Sequence, residues 1–179
     1  LGDWGMKKLF LVLAASLIVI FVVTLVDLPG TQSDFSIYDD FFSQSEVAFP
    51  IPKYRTEYIP QGLSYNENQD WFVISYYHEK EAEPSIIVIV DGSDGSVIKT
   101  LHLYHQNGEP YVGHAGGVAV TKQSIYISSD RHLHRLSLFE VGYLKDNENI
   151  YFKQEIETNT YGSYVNYSNH ILWVGDFVI

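Results

Sequence analysis

Apolar residues are distributed along the chain in three different patterns, and the changes between them set the expected architecture. The first is an unbroken run. Leu9–Val26 reads LFLVLAASLIVIFVVTLV, without a charge, with Lys7 and Lys8 before it and Asp27, Pro29 and Gly30 after it. Wound as a helix it measures about 27 Å at ~1.5 Å per residue, close to the hydrocarbon thickness of a bilayer, where backbone groups must be satisfied internally. The two lysines belong on the cytoplasmic side. A cleaved signal peptide starts in the same way, but its apolar core runs about 7–15 residues and ends at a small-x-small site. Here the exit is Thr24-Leu25-Val26-Asp27, so an uncleaved signal anchor is expected over residues 1–30, with Ala14-Ala15-Ser16 keeping cleavage and secretion as the alternative.

The second pattern, over 31–55, is polar and aromatic and reads as a juxtamembrane spacer. Ser36 and Asp39 suit the cap of a short helix, Phe41-Phe42 suit docking on the domain beyond the spacer, and Pro50 and Pro52 stop any regular element. The third pattern fills 56–179 with short β-branched and aromatic runs, and no helical spacing of apolar residues lasts ten positions. Predicted strands are Gly62–Tyr65, Trp71–Tyr77, Ser85–Val90, Ser96–Leu103, Gly117–Thr121, Ser124–Ser128, His132–Leu138, Ile150–Ile156, Ser163–Tyr167 and Ile171–Phe177. Between them Asn66–Asp70, Asp91–Gly95, Thr121–Gln123 and Ser168-Asn169 supply turn chemistry.

A repeat organises these strands. GLSYNENQDWFVIS from Gly62, GVAVTKQSIYIS from Gly117 and SYVNYSNHILWVG from Ser163 each read as strand, polar turn and second strand. Their closing apolar residues Ile74, Ile127 and Val174 lie 53 and 47 residues apart, near the ~40–50 residues of a propeller blade. The fold class expected is all-β: about two and a half four-stranded blades of a truncated β-propeller after one transmembrane helix, with a β-sandwich as the alternative use of the same strands. An open blade edge predicts that this chain alone aggregates or dimerises edge to edge.

Composition narrows the chemistry. Twenty-two Asp and Glu against eleven Lys and Arg give a net charge of −11, which leaves no basic footprint for nucleic acid. With no cysteine, disulfides and thiolate metal sites are excluded, which suits a bacterial exported domain that does not rely on disulfides. The acidic part beyond residue 30 is repelled by anionic bilayers, so the membrane is a partner through the anchor alone.

In a propeller the starts of innermost strands and the ends of second strands meet around the central channel. That geometry selects Gln61, His114 and Tyr161 as strand starts, and Tyr76, Tyr77, Ser129, Asp130 and Asp176 as second-strand ends. The candidate ligand-binding set is Gln61, Tyr76, His114, Asp130 and Asp176. His114 comes first because Gly113-His114-Ala115-Gly116-Gly117 lets backbones approach and frees an imidazole, although such glycines also simply relieve crowding. Asp130 and Asp176 suit Ca²⁺ or base chemistry and equally suit turn starts. His132 and His134 share a strand face at a spacing suited to Zn²⁺ or Ni²⁺, but no third ligand is evident, and His102 and His105 stand likewise.

The run IVIVDGSDGSVIKTLHL from Ile87 to Leu103 resembles blades of NHL-type propellers. Pro60-Gln61-Gly62-Leu63 and Gly113–Val120 resemble innermost-strand starts of the superfamily of gluconolactonases, regucalcin and strictosidine-synthase-like proteins, and Ile59–Phe177 resembles secreted or membrane-anchored bacterial proteins of that shape. The resemblance implies a six- or seven-bladed ring and, in its lactonase branch, a divalent cation held by a Glu at the first strand start with Asn or Asp from later blades. Gln61 stands where that Glu is expected, which weakens the enzyme. The expected function is therefore an extracytoplasmic, membrane-anchored binding or interaction module with a small molecule or protein at the mouth. The alternative is a metal-dependent, Ca²⁺-type esterase or lactonase-like hydrolase.

Overall fold

The computed structural model of the chain describes residues 36–53, 55–80 and 83–177. The expected anchor helix at Leu9–Val26 lies outside the described residues. No helix among those described is long and apolar enough to cross a membrane. Contacts divide the chain into two units, Leu1–Glu46 and Val47–Ile179, so the boundary falls inside the expected spacer. In the first unit a 3-10 turn at Ser36–Tyr38 leads into helix α1, Asp39–Ser43. Tyr38 rather than Ser36 occupies its cap position, and no side chain caps it. Phe41 and Phe42 are exposed and meet edge to face, 5.4 Å between centroids.

The second unit is mostly β, in three sheets. The first joins β1 (Tyr58–Asn66), β2 (Trp71–His78), β3 (Ile86–Asp91) and β4 (Val97–Tyr104) in an antiparallel meander, with β8 (Glu148–Tyr151) added parallel to β4. The second holds β5 (Gly117–Val120), β6 (Ser124–Ser129), β7 (His132–Ser137) and β9 (Gln154–Glu157). The third is the hairpin β10 (Tyr164–Ser168) and β11 (Ile171–Gly175). Ile86–Val90 are wholly buried, as a continuous β-branched run in a central strand must be when both sheet faces are covered. The tight turns follow their residues. Ser93 donates its backbone N–H to Asp91, and the two-residue loops Asp130-Arg131 and Asn169-His170 carry the positive φ at both positions that primed hairpin turns demand.

Two corrections concern strand limits. Ile150–Ile156, expected as one strand, splits into β8 and β9, which join different sheets. The break falls at Phe152 and Lys153: Ile150 and Phe152 are buried between the sheets, Phe152 donates its N–H to Tyr104 O, and Lys153 donates to Arg135 O. This staple makes the first sheet five-stranded rather than four. The other correction is that His132–Leu138 ends at Ser137, where a helix, α2 (Leu138–Tyr143), begins. Ser137 Oγ accepts from Glu140 N–H at the helix start, Leu138 and Val141 are buried three residues apart, and Lys99 Nζ donates to the carbonyls of Val141, Gly142 and Leu144 at its end.

The sheets lie face against face with apolar layers between them. Val73, Ile87, Ile89, Leu101 and Leu103 meet Ile125, Ile127 and Leu136 across the first gap, while Ala119, Leu133 and Val165 fill the second. The outward face of the first sheet, carrying Ile74, Tyr76 and Val88, is covered by Phe49 and Tyr58.

Spacing within each gap is uneven. A Cβ on Gly62 would lie 2.8 Å from Val118 N, and one on Gly117 would lie 2.5 Å from Val165 N, so β1, β5 and β10 touch backbone to backbone. Away from these strands, side chains as large as Leu101, Leu136 and Phe152 hold the sheets apart. The register also tests the repeat. Gly62 pairs with Ser75 and Gly117 with Ser128, at equivalent positions, but the third pair is Tyr164 with Gly175, one residue later than the overlay beginning at Ser163.

Candidate functional site

A pocket of about 330 Å³ opens at the starting ends of β1, β5 and β10. Three expected site residues, Gln61, His114 and Asp130, line it together with Ser129, Tyr161, Ser163 and Phe177.

Each arrives by a local device. Pro60 pairs with Tyr76 and Gly62 with Ser75, so Gln61 is the extra residue of a β-bulge, unpaired in the ladder and turned to the pocket. Its amide donates to Pro60 O. His114 precedes β5, and its ring lies 4.8 Å from that of Tyr77 at the end of β2. Ala115, the next residue, is wholly buried with φ +48, a conformation costly for a residue with a Cβ and sustained here by packing. Asp130 sits in the β6–β7 turn, where Ser129 Oγ (2.9 Å) and the Tyr111 hydroxyl (3.3 Å) both donate to Oδ2. Burial pushes the Tyr111 phenol well above its ordinary value, so it remains a donor at neutral pH. The place a side chain on Gly113 would take is filled by that carboxylate and phenol, which explains the glycine before His114.

Asp176, at the end of β11, stands one step back: its Oδ1 accepts the N–H of Gly162, which lines the pocket. Tyr161 is covered by the Arg131 guanidinium, 4.1 Å above the ring.

Tyr76 is placed elsewhere. Its side chain points to the outward face of the first sheet, where the hydroxyl donates to Pro52 O at 2.8 Å and burial raises its pKa to about 12. The cause is the two-residue alternation of a strand: on β2 the neighbour Tyr77, rather than Tyr76, faces His114. Tyr111, which holds Asp130, went unnoticed in the sequence because it lies in a loop outside the repeat and reaches the pocket only through the fold. Ser163 and Phe177 also line the pocket and carried no local signal beyond their position at strand ends.

A second group of titratable residues gathers beneath this pocket. His134 is 2% exposed and stacked on Phe152 at 4.5 Å, with His132 stacked on it at 5.8 Å. Glu155 accepts from His105 Nδ1 at 3.0 Å and comes within 3.4 Å of His134 Nδ1 without hydrogen-bond geometry, so neither ring nitrogen of His134 has a hydrogen-bond partner among the described residues. Burial holds the His134 pKa near 4 against the upward pull of Glu155. No set of three His, Asp or Glu among the described residues is arranged to hold a metal ion.

No protein-family model matches this chain, and no curated protein shows significant sequence similarity to it.

Proposed function

We propose that the three sheets are adjoining blades of a β-propeller, and that the pocket at their inner ends binds a small polar ligand. The protein then works as a membrane-anchored binding module outside the cytoplasm. The observation that carries this is convergence: Gln61, His114, Asp130 and Tyr161 come from strand starts and a turn in all three sheets, yet line one pocket. Supporting the blade geometry are the backbone contacts at Gly62 and Gly117 and, between the first two sheets, the side-chain-filled gap away from them, which gives that pair a wedge profile. The charge-free run Leu9–Val26 supports the anchor.

The pocket suits binding better than lactonase chemistry. Asp130 is the only carboxylate among the described residues that line it, whereas Ca²⁺ takes about six to eight oxygen ligands. An amide, hydroxyls, a carboxylate and the rings of Tyr161 and Phe177 favour an uncharged or cationic ligand rich in hydrogen-bonding groups.

The test is a thermal-shift screen of the full chain in nanodiscs against polyols, monosaccharides and amines. A compound that raises the melting temperature of the parent should leave His114→Ala and Asp130→Asn unmoved. Equal shifts in parent and both variants would remove the pocket from the account.

A further inference from the structure

Another cavity lies at the other ends of the first strands. About 720 Å³ in volume, it is bordered by the β1–β2 turn, the β5–β6 turn, β7 and α2, well within the ~300–1,000 Å³ of small-ligand sites. Its charge is unlike that of the protein. The sequence carries twice as many acidic as basic residues, yet the cavity is lined by Lys122 and Arg135 and by no carboxylate.

Nor are these cations spoken for. Lys80 pairs with Glu57 and Lys153 with Glu140, but neither Lys122 nor Arg135 has an ion pair or a side-chain hydrogen bond among the described residues. Arg135 is half-buried, and its backbone is fixed between Tyr126 and Gln154 in the sheet. A partly desolvated guanidinium without a partner gains most from a carboxylate, which meets its planar fork with two parallel hydrogen bonds.

Three aromatic residues also border the cavity. Trp71 comes from the first sheet, and Phe139 and Tyr143 from α2, 81% and 59% exposed. Large rings left in water on a short helix, beside an unpaired arginine, form a platform on which a flat ligand face can stack.

We infer that this cavity is a second binding site, for a carboxylate-bearing ligand with a flat apolar face. Arg135 receives the carboxylate, Lys122 adds attraction, and Phe139 and Tyr143 cover the ligand face. An aromatic acid and a uronate-containing glycan share that chemistry. The site is independent of the pocket around His114 and Asp130.

The experiment titrates the full chain in zwitterionic nanodiscs, with empty nanodiscs as blank, by calorimetry. Probes are 2-naphthoate, its alcohol 2-naphthalenemethanol, trigalacturonate and the methyl ester of trigalacturonate. At least one acid should bind saturably and about tenfold or more tighter than its uncharged counterpart, as expected for charge-assisted hydrogen bonds. The tighter of the two acids identifies the source. Arg135→Gln should weaken that acid about tenfold or more, and His114→Ala should leave it unchanged. Phe139→Ala changes only an exposed ring and carries the same test, with a several-fold loss expected, if Arg135→Gln fails to fold. Absence of saturable binding by both acids overturns the proposal, as does equal binding by parent, Arg135→Gln and Phe139→Ala.

Discussion

Gly117→Ala is the sharpest probe of how the sheets meet. The added methyl would sit 2.5 Å from Val165 N, 2.7 Å from Ser128 Oγ and 2.8 Å from Tyr164 Cα. Favourable contacts between heavy atoms lie near 3.5–4.0 Å, so the β10 backbone must retreat by about 1 Å. It cannot do so alone, because Ala119, Leu133 and Val165 fill the gap behind it and their contacts loosen together. Overpacking of this kind costs about 1–3 kcal/mol, against which replacing glycine in a strand returns about 0.5–1 kcal/mol of chain entropy. A net loss of about 1 kcal/mol is expected. Gly62→Ala meets Val118 N at 2.8 Å and Gly116 O at 3.1 Å and should lose a similar amount at the first gap. The control is Gly142→Ala: it lies in α2 with nothing within 4 Å, and should be neutral or stabilising by up to ~1 kcal/mol. Urea unfolding of the full chain in nanodiscs, followed by circular dichroism, gives the three values, and amide exchange should show faster opening of β10 in Gly117→Ala. A Gly117→Ala protein within 0.5 kcal/mol of the parent, on the scale of an ordinary surface change, would refute backbone contact between the first strands.

Other outcomes test other joints. Lys99→Met removes the cation shared by three carbonyls at the end of α2, leaving them without that donor; the melting curve should shift down by the equivalent of about 1–3 kcal/mol. Phe152→Ala empties the wholly buried centre of the staple between two sheets and should cost about 3–5 kcal/mol by urea unfolding, with the greatest gain in exchange at β8 and β9. His134 makes stability pH-dependent. Its ordinary value is 6.5 and burial lowers the folded value to about 4, so between those pH values the unfolded chain binds more protons. Stability contributed by the neutral ring is complete above about 6.5 and is lost as pH falls towards 4, by up to about 3 kcal/mol. Around this ring stand His132, His105 and Glu155, with Asp130 beyond, and Glu155 opposes the loss. His134→Leu should flatten the slope between pH 6.5 and 4.5; an unchanged slope would assign it to the carboxylates instead.

Much of the strand order was legible because it rests on local chemistry: β-branched runs, Asx turns and paired positive-φ residues announce strands and hairpins one after another. The helix after β7 is absent from the sequence reading, because the strand pattern hides the capping sequence Ser137-Leu138-Phe139-Glu140. What sequence could not give were choices made between sheets. Nothing local tells Ile150 to join β4 and Ile156 to join β7, since both carry the same alternation; the decision lies in Phe152 finding space between the two sheets.

The same distinction explains the candidate site. Gln61, His114 and Asp130 line one pocket because β1 near its start, the approach to β5 and the β6–β7 turn lie at the same end of their sheets, a placement that needs no side-chain detail. Tyr76 was misplaced because orientation at a strand end depends on register, and the bulge at Gln61 sits opposite that end. A bulge moves one strand by a residue relative to its partner, so it turns Gln61 to the pocket while Tyr76 keeps the face shared with Ile74, under Phe49 and Tyr58. Deleting Gln61 would therefore remove the bulge and leave Pro60 opposite Tyr76 and Gly62 opposite Ser75 as consecutive pairs, so Tyr58 keeps the face that it shares with Tyr76. Gln61→Ala, which keeps the bulge, and the deletion should both weaken ligand binding, and urea unfolding should find the deletion within about 1 kcal/mol of the parent. A deletion that unfolds at much lower urea than Gln61→Ala would show that the bulge itself is needed for the packing of β1.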